Sequence, residues 1–136
     1  MLKTSKPPTN VKAVLIITVD DKTLVYRVEP LKMFIEVDTQ FKEELPAAKL
    51  VTELRDILGW EKPEIYERLQ HGLVHQSIGD PRRYYHLFEM ALTREELQPM
   101  IMAGMPLSLV TIPETGDVDD LDPVHLFLYR MHRGQI

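Results

Sequence analysis

Cysteine is absent from the 136 residues, which removes a disulfide scaffold, a thiol nucleophile and every cysteine-ligated zinc or iron–sulfur site. Glycine is scarce too. The six glycines are scattered and form neither G-x-G-x-x-G nor G-x-x-x-x-G-K-[ST], so a glycine-rich phosphate cradle is not expected. No G-x-S-x-G turn presents a nucleophilic serine. The longest apolar run, "AVLII" at 13–17, is far short of the roughly 20 residues that span a bilayer, and no signal-type cleavage region follows it. A soluble, cytoplasmic chain without membrane attachment is the expectation. Positive charge is also in deficit: 16 basic residues stand against 21 acidic ones, a net charge of −5. The deficit is concentrated in residues 93–136, with 3 basic and 7 acidic residues. Duplex nucleic acid is held by displacing counterions with a basic face, so this balance argues against a general nucleic-acid binder.

What is present suits an ordinary globular domain. Hydrophobic residues make up 44% and charged residues 27% of the chain, and a chain of this length can bury a real core. Residues 1–10, "MLKTSKPPTN", hold two consecutive prolines and little apolar surface, and read as a tail preceding a single domain over 11–136. Residues 11–19, 23–28 and 31–37 are rich in β-branched side chains and are separated by "DDK" and "EP", the pattern of a three-stranded meander.

The period then lengthens. From Pro46, the residues Ala47, Leu50, Val51, Leu54, Ile57 and Leu58 recur at three- and four-residue steps, one apolar stripe of a helix ended by Gly59. A second helix is expected from Pro63 through "EIYERLQ", ending at Gly72. Strands at 73–78 and 83–92 flank the turn "GDPR", with Tyr84, His86 and Phe88 facing the core and Tyr85 and Glu89 outward. "TREE" at 93–96 is a capping box opening a helix buried through Leu97, Met100 and Ile101, with Met102 off the stripe. A strand at 107–112 and a helix capped by Asp122 complete the chain. In that last helix Val124, Phe127, Leu128 and Met131 form the stripe, with His125 and His132 elsewhere. The order β-β-β-α-α-β-β-α-β-α predicts an α+β fold with a largely antiparallel sheet packed against helices.

Chemistry-bearing residues are few. His71 and His75 are four apart, but "HGLVH" lacks the glutamate and unbroken helix of a zinc-protease motif. Asp117, Asp119, Asp120 and Asp122 resemble no EF-hand loop and read as a solvated link before the last helix. Neither a metal nor another cofactor is therefore expected. The remaining candidate is "DPRRYYH" at 80–86, which combines planar cations with an amphipathic ring at a hairpin tip. On this basis Arg82, Arg83, Tyr85 and His75 form an expected protein-binding surface of a small non-catalytic regulatory, inhibitory or accessory factor. The partner is another protein, and methionines at 100, 102 and 105 offer a face for a homodimer. An alternative is a small-molecule-binding protein or hydrolase with a pocket titrated by His75 or His86. A further one is nucleic-acid binding through Arg82, Arg83 and a stacking Tyr85.

Overall fold

The central strand accounts for the longest apolar run. The structure, a computed structural model, describes residues 10–39, 46–58, 63–77, 83–102, 104 and 106–135. Within it, β1 (Asn10–Val19) pairs in parallel with β6 (Arg83–Leu92) over its whole length, from Asn10 opposite Arg83 to Val19 opposite Leu92. Helices cover both faces of this pair, so Ala13 to Ile17 are all buried. A continuous apolar stretch is what a strand with two covered faces requires.

The other edge of β1 is shared. β2 (Lys22–Val28) meets it at Thr18 and Val19, whereas β4 (Ile35–Thr39) runs antiparallel to residues 11–15. Between them β2 leaves β1 and carries β3 (Leu31–Met33) on one side and β7 (Leu107–Val110) on the other. The expected third strand is thus two strands broken at Phe34, where the chain exchanges β2 for β1 as its partner. β5 (Gln70–Ser77) pairs antiparallel with β6, with a register shift between His71 and Val74. The result is a seven-stranded mixed sheet in a single-domain α+β fold. The sheet is largely antiparallel, as expected, but its longest pairing, β1 with β6, is parallel.

Helices form a layer on each face. One layer is α1 (Pro46–Leu58), α2 (Pro63–Tyr66) and α3 (Arg94–Met102), whose Leu50, Leu54, Ile65, Leu97 and Met100 pack with Leu15, Ile17, Phe88 and Met90. The other is α4 (Pro123–His132), whose Leu126, Leu128 and Tyr129 pack with Val14, Ile16, Phe34, Tyr85 and Leu87. Each such side chain gains roughly 1.5–3 kcal/mol on leaving water. Among the described residues, no helix is long and apolar enough to cross a membrane.

Local signals set the helix ends. Thr93 Oγ1 accepts from the Glu96 amide at 3.2 Å while Glu96 Oε1 accepts from the Thr93 amide at 2.9 Å, the reciprocal bonds of a capping box. Asp122 Oδ1 accepts from the amides of Val124 (2.9 Å) and His125 (3.1 Å). Gly134, at φ 71°, ends α4 in the left-handed region that glycine enters without strain. Other expectations fail. α2 stops at Tyr66 and Gly72 lies inside β5, so His71 belongs to a strand. Ile101 is exposed, as are Val124 and Phe127 on the expected stripe of α4, and Met102 is exposed as anticipated. Gly59, the "GDPR" turn and residues 1–9 lie outside the described residues.

Candidate functional site

Strand alternation collects charge on one sheet face. Ile35 and Val37 of β4 pack with the α1 side, which sends Glu36 and Asp38 to the α4 side. The register puts Lys12 between two neighbours, opposite Asp38 on β4 and opposite Tyr85 on β6. The Lys12 ammonium bonds Asp38 Oδ1 at 2.9 Å and lies 3.5 Å from Glu36 Oε2. His125 arrives from the first turn of α4 and is 1% exposed. Its ring is stacked on Phe34, with centroids 5.5 Å apart and planes 7° apart. Its Nδ1 accepts from the Phe34 amide at 3.0 Å. Nδ1 is therefore unprotonated, and Nε2 carries the hydrogen that points at Glu36 Oε1, 3.3 Å away.

The placement of α4 depends on a backbone clamp. The Lys32 amide donates to the Asp120 carbonyl at 2.6 Å, and the Asp122 amide donates to the Lys32 carbonyl at 2.9 Å. These bonds bridge Leu121 to β3 and start the helix beside Phe34.

Electrostatics follow from the contacts. Burial works against the Glu36 carboxylate, but the His125 bond and the Lys12 ammonium outweigh it and hold the carboxyl below its ordinary range. Burial likewise opposes the Lys12 charge, and the Asp38 bond with the two carboxylates reverses the balance and raises it. Burial pushes the Tyr26 phenol up, and the Glu36 charge adds to it. The cluster is thus an ionised carboxylate with one oxygen fixed by an imidazole, a second carboxylate that is exposed, and a single ammonium between them. It can accept a proton or bind donor groups. With two carboxylates against one ammonium, it does not suit the cradling of a bare phosphate.

The residues expected from sequence are distributed differently. Tyr85 is 4% exposed and packs in the α4-side core, so it does not project from the hairpin. The reason is that both faces of β6 are covered by helices. His75 stands opposite Tyr85 on β5, half-buried, with its ring edge against Phe127. Arg83 is exposed at the start of β6, opposite Ser77. Arg82 lies outside the described residues. His71 meets His86 instead of His75: His86 Nδ1 and His71 Nε2 are 3.3 Å apart, across one shared hydrogen. Burial and then the nearby His71 depress the His86 pKa. His86 faces the α1 side and so does not join Glu36. Among the described residues, no group of three or more His, Asp or Glu side chains is placed to hold a metal ion. Asp120 of the acidic link serves instead as a backbone anchor and lies 3.5 Å from Arg27.

Sequence reasoning passed over Lys12, Glu36, Asp38 and His125. Their signal was available in "EVD" at 36–38, where acids alternate with an apolar residue inside a strand.

No family model and no curated protein matches this sequence. Solved structures do share its fold. The bifunctional NMN adenylyltransferase/ADP ribose pyrophosphatase of Francisella tularensis superposes with a TM-score of 0.63 at 12% identity, over 94% of this chain and 41% of that one. A NUDIX-family hydrolase from Clostridium perfringens gives 0.52 at 13% identity, over 90% and 94%. The C-terminal domain of mouse MUTYH, solved in complex with human PCNA, gives 0.56 at 17% identity, over 93% and 91%. The fold is that of NUDIX hydrolases. This likeness overturns the expectation of a non-catalytic regulatory or accessory factor, which rested on the lack of a recognisable catalytic motif and on a Tyr85 that is in fact buried.

Proposed function

We propose that this chain is a hydrolase of a small molecule, with Lys12, Glu36, Asp38 and His125 as its polar centre. The observation that carries the reading is Glu36: an ionised, partly buried carboxylate, oriented by His125, on a fold shared with hydrolases. In this role Glu36 accepts a proton from the attacking water as the water oxygen bonds to the electrophilic centre and the leaving group departs. A carboxylate below its ordinary pKa is a weaker base, but it is wholly in the basic form near neutrality. Lys12 offsets part of the charge of the two carboxylates, and Asp38, the more exposed of them, meets solvent and ligand. The first compounds to test are pyrophosphate-linked nucleotides, since one protein of the same fold is described as an ADP ribose pyrophosphatase.

The test is a turnover assay of the purified chain on ADP-ribose, nucleotide sugars and nucleoside diphosphates, with and without a divalent cation, reading released phosphate or nucleotide. Removal of a general base costs about 10²–10⁴-fold, so Glu36→Gln should lose at least two orders of magnitude in kcat. Turnover of every compound no faster in the parent chain than in Glu36→Gln would refute the proposal.

A further inference from the structure

The break at Phe34 frees a backbone donor. The residue stands between β3 and β4, where the chain leaves one partner strand for another, and its side chain is fully buried. A buried amide without a partner is strongly disfavoured. The acceptor for this one is a side chain 91 residues away, His125 Nδ1 at 3.0 Å. An imidazole that accepts at Nδ1 while neutral carries its hydrogen at Nε2. That hydrogen lies on the side of Glu36 Oε1, at 3.3 Å.

We infer that His125 is a positioning residue: the amide left over at the strand break fixes its tautomer, and the fixed Nε2–H aims Glu36. One carboxylate oxygen is thereby committed to the imidazole and the other is left on the Lys12 side, 3.5 Å from the ammonium. Three constraints hold the ring itself: the parallel Phe34 ring, the Asp122 cap on the His125 amide, and a side chain only 2% exposed. The ring has no rotation available that keeps both bonds. Other charged or titratable groups around the cluster are Asp38 from β4, Tyr26 from β2, Tyr85 from β6, Tyr129 one turn along α4 and Asp122 at its cap. The Phe34 amide, being permanently a donor, holds the tautomer whatever the state of those groups. The contribution of His125 to turnover rests on the reading of Glu36 as proton acceptor; the tautomer and the orientation of Glu36 do not.

Two measurements on the full chain test this. Long-range ¹H–¹⁵N correlation of the histidine rings at about pH 7.5 should show His125 as the neutral Nε2–H form; an Nδ1–H form or a doubly protonated ring would overturn the inference without any variant. Carboxyl ¹³C titration should then show the Glu36 midpoint moving upward in His125→Phe, a change that keeps a flat ring of similar size on Phe34 and removes both nitrogens. An unchanged midpoint in a folded variant overturns the aiming role, and if the variant does not fold, the tautomer in the parent chain decides. In the turnover assay His125→Phe should lower kcat and leave KM in place. Absence of any turnover in the parent chain counts against the proposed function, while the two spectroscopic readouts still stand or fall on their own.

Discussion

Replacing Tyr85 by alanine separates a buried ring from an exposed binding residue. Tyr85 is 4% exposed and packs among Val14, Leu87, Leu128 and Tyr129. A buried aromatic side chain removes about 150–250 Å² from water, which at roughly 25 cal/mol per Å² is worth about 4–6 kcal/mol. Partial relaxation of the surrounding side chains lowers this, and measured losses for buried aromatic-to-alanine changes centre on about 3–5 kcal/mol. For a domain of this size each kcal/mol moves the melting temperature by roughly 3–5 °C, so a drop of about 10–25 °C is expected. Tyr85→Phe retains the ring and should cost less than about 1.5 kcal/mol. Arg83→Ala, at the exposed start of the same strand, should change stability by no more than about 1 kcal/mol. Differential scanning calorimetry on the three variants tests the set. A Tyr85→Ala protein melting within about 3 °C of the parent would show that the face of β6 toward α4 is not covered, and the architecture would need revision.

Leu54→Ala should destabilise by about 2–5 kcal/mol in urea titration, since Leu54 is fully buried between α1 and the sheet; a loss under about 1 kcal/mol would mean the helix face is wrongly assigned. Thr93→Ala removes the acceptor for the Glu96 amide and should cost about 0.5–2 kcal/mol, whereas an unaltered urea midpoint would make the capping box inert. The Glu36 carboxyl is depressed in the fold, so the unfolded chain takes up its proton first as the pH falls. The stabilisation from Glu36 is thus complete above the ordinary carboxylate range and is lost as pH drops through the lower, folded value. Melting temperatures measured below about pH 5 should fall less steeply in Glu36→Gln than in the parent, and parallel curves would show that Glu36 is not depressed.

Much of this architecture can be read from local pattern. The α1 stripe, the capping box at Thr93 and the Asp122 cap each depend on residues within about one or two turns of one another. What the sequence conceals are long-range choices. A continuous apolar run such as "AVLII" fits a strand with both faces covered as well as one end of a hairpin strand, and only pairing with β6 distinguishes them. The break at Phe34 leaves no glycine or proline signal behind, because the chain passes from β2 to β1 as its partner across that single residue. Tyr85 was placed outward from the period-two rule, which correctly opposes it to Tyr84 but does not say that a second helix layer lies beyond. The polar cluster was hidden for the same reason: Lys12, Glu36 and His125 converge only once β1, β4 and α4 are assembled, from positions as far apart in sequence as 12 and 125.

The clamp at Lys32 bears on how freely the segment before α4 can be redesigned. Two backbone bonds, to Asp120 and from Asp122, set where the helix begins, and farther back the Arg130 guanidinium holds the carbonyls of Pro113 and Gly116. Asp117 lies exposed between these two anchorages. A spacer or a recognition tag inserted there would lengthen a tether whose ends are already fixed, an entropic cost that grows only slowly with length. His125 would keep its place over Phe34, and the segment offers an attachment point for a reporter outside the polar cluster.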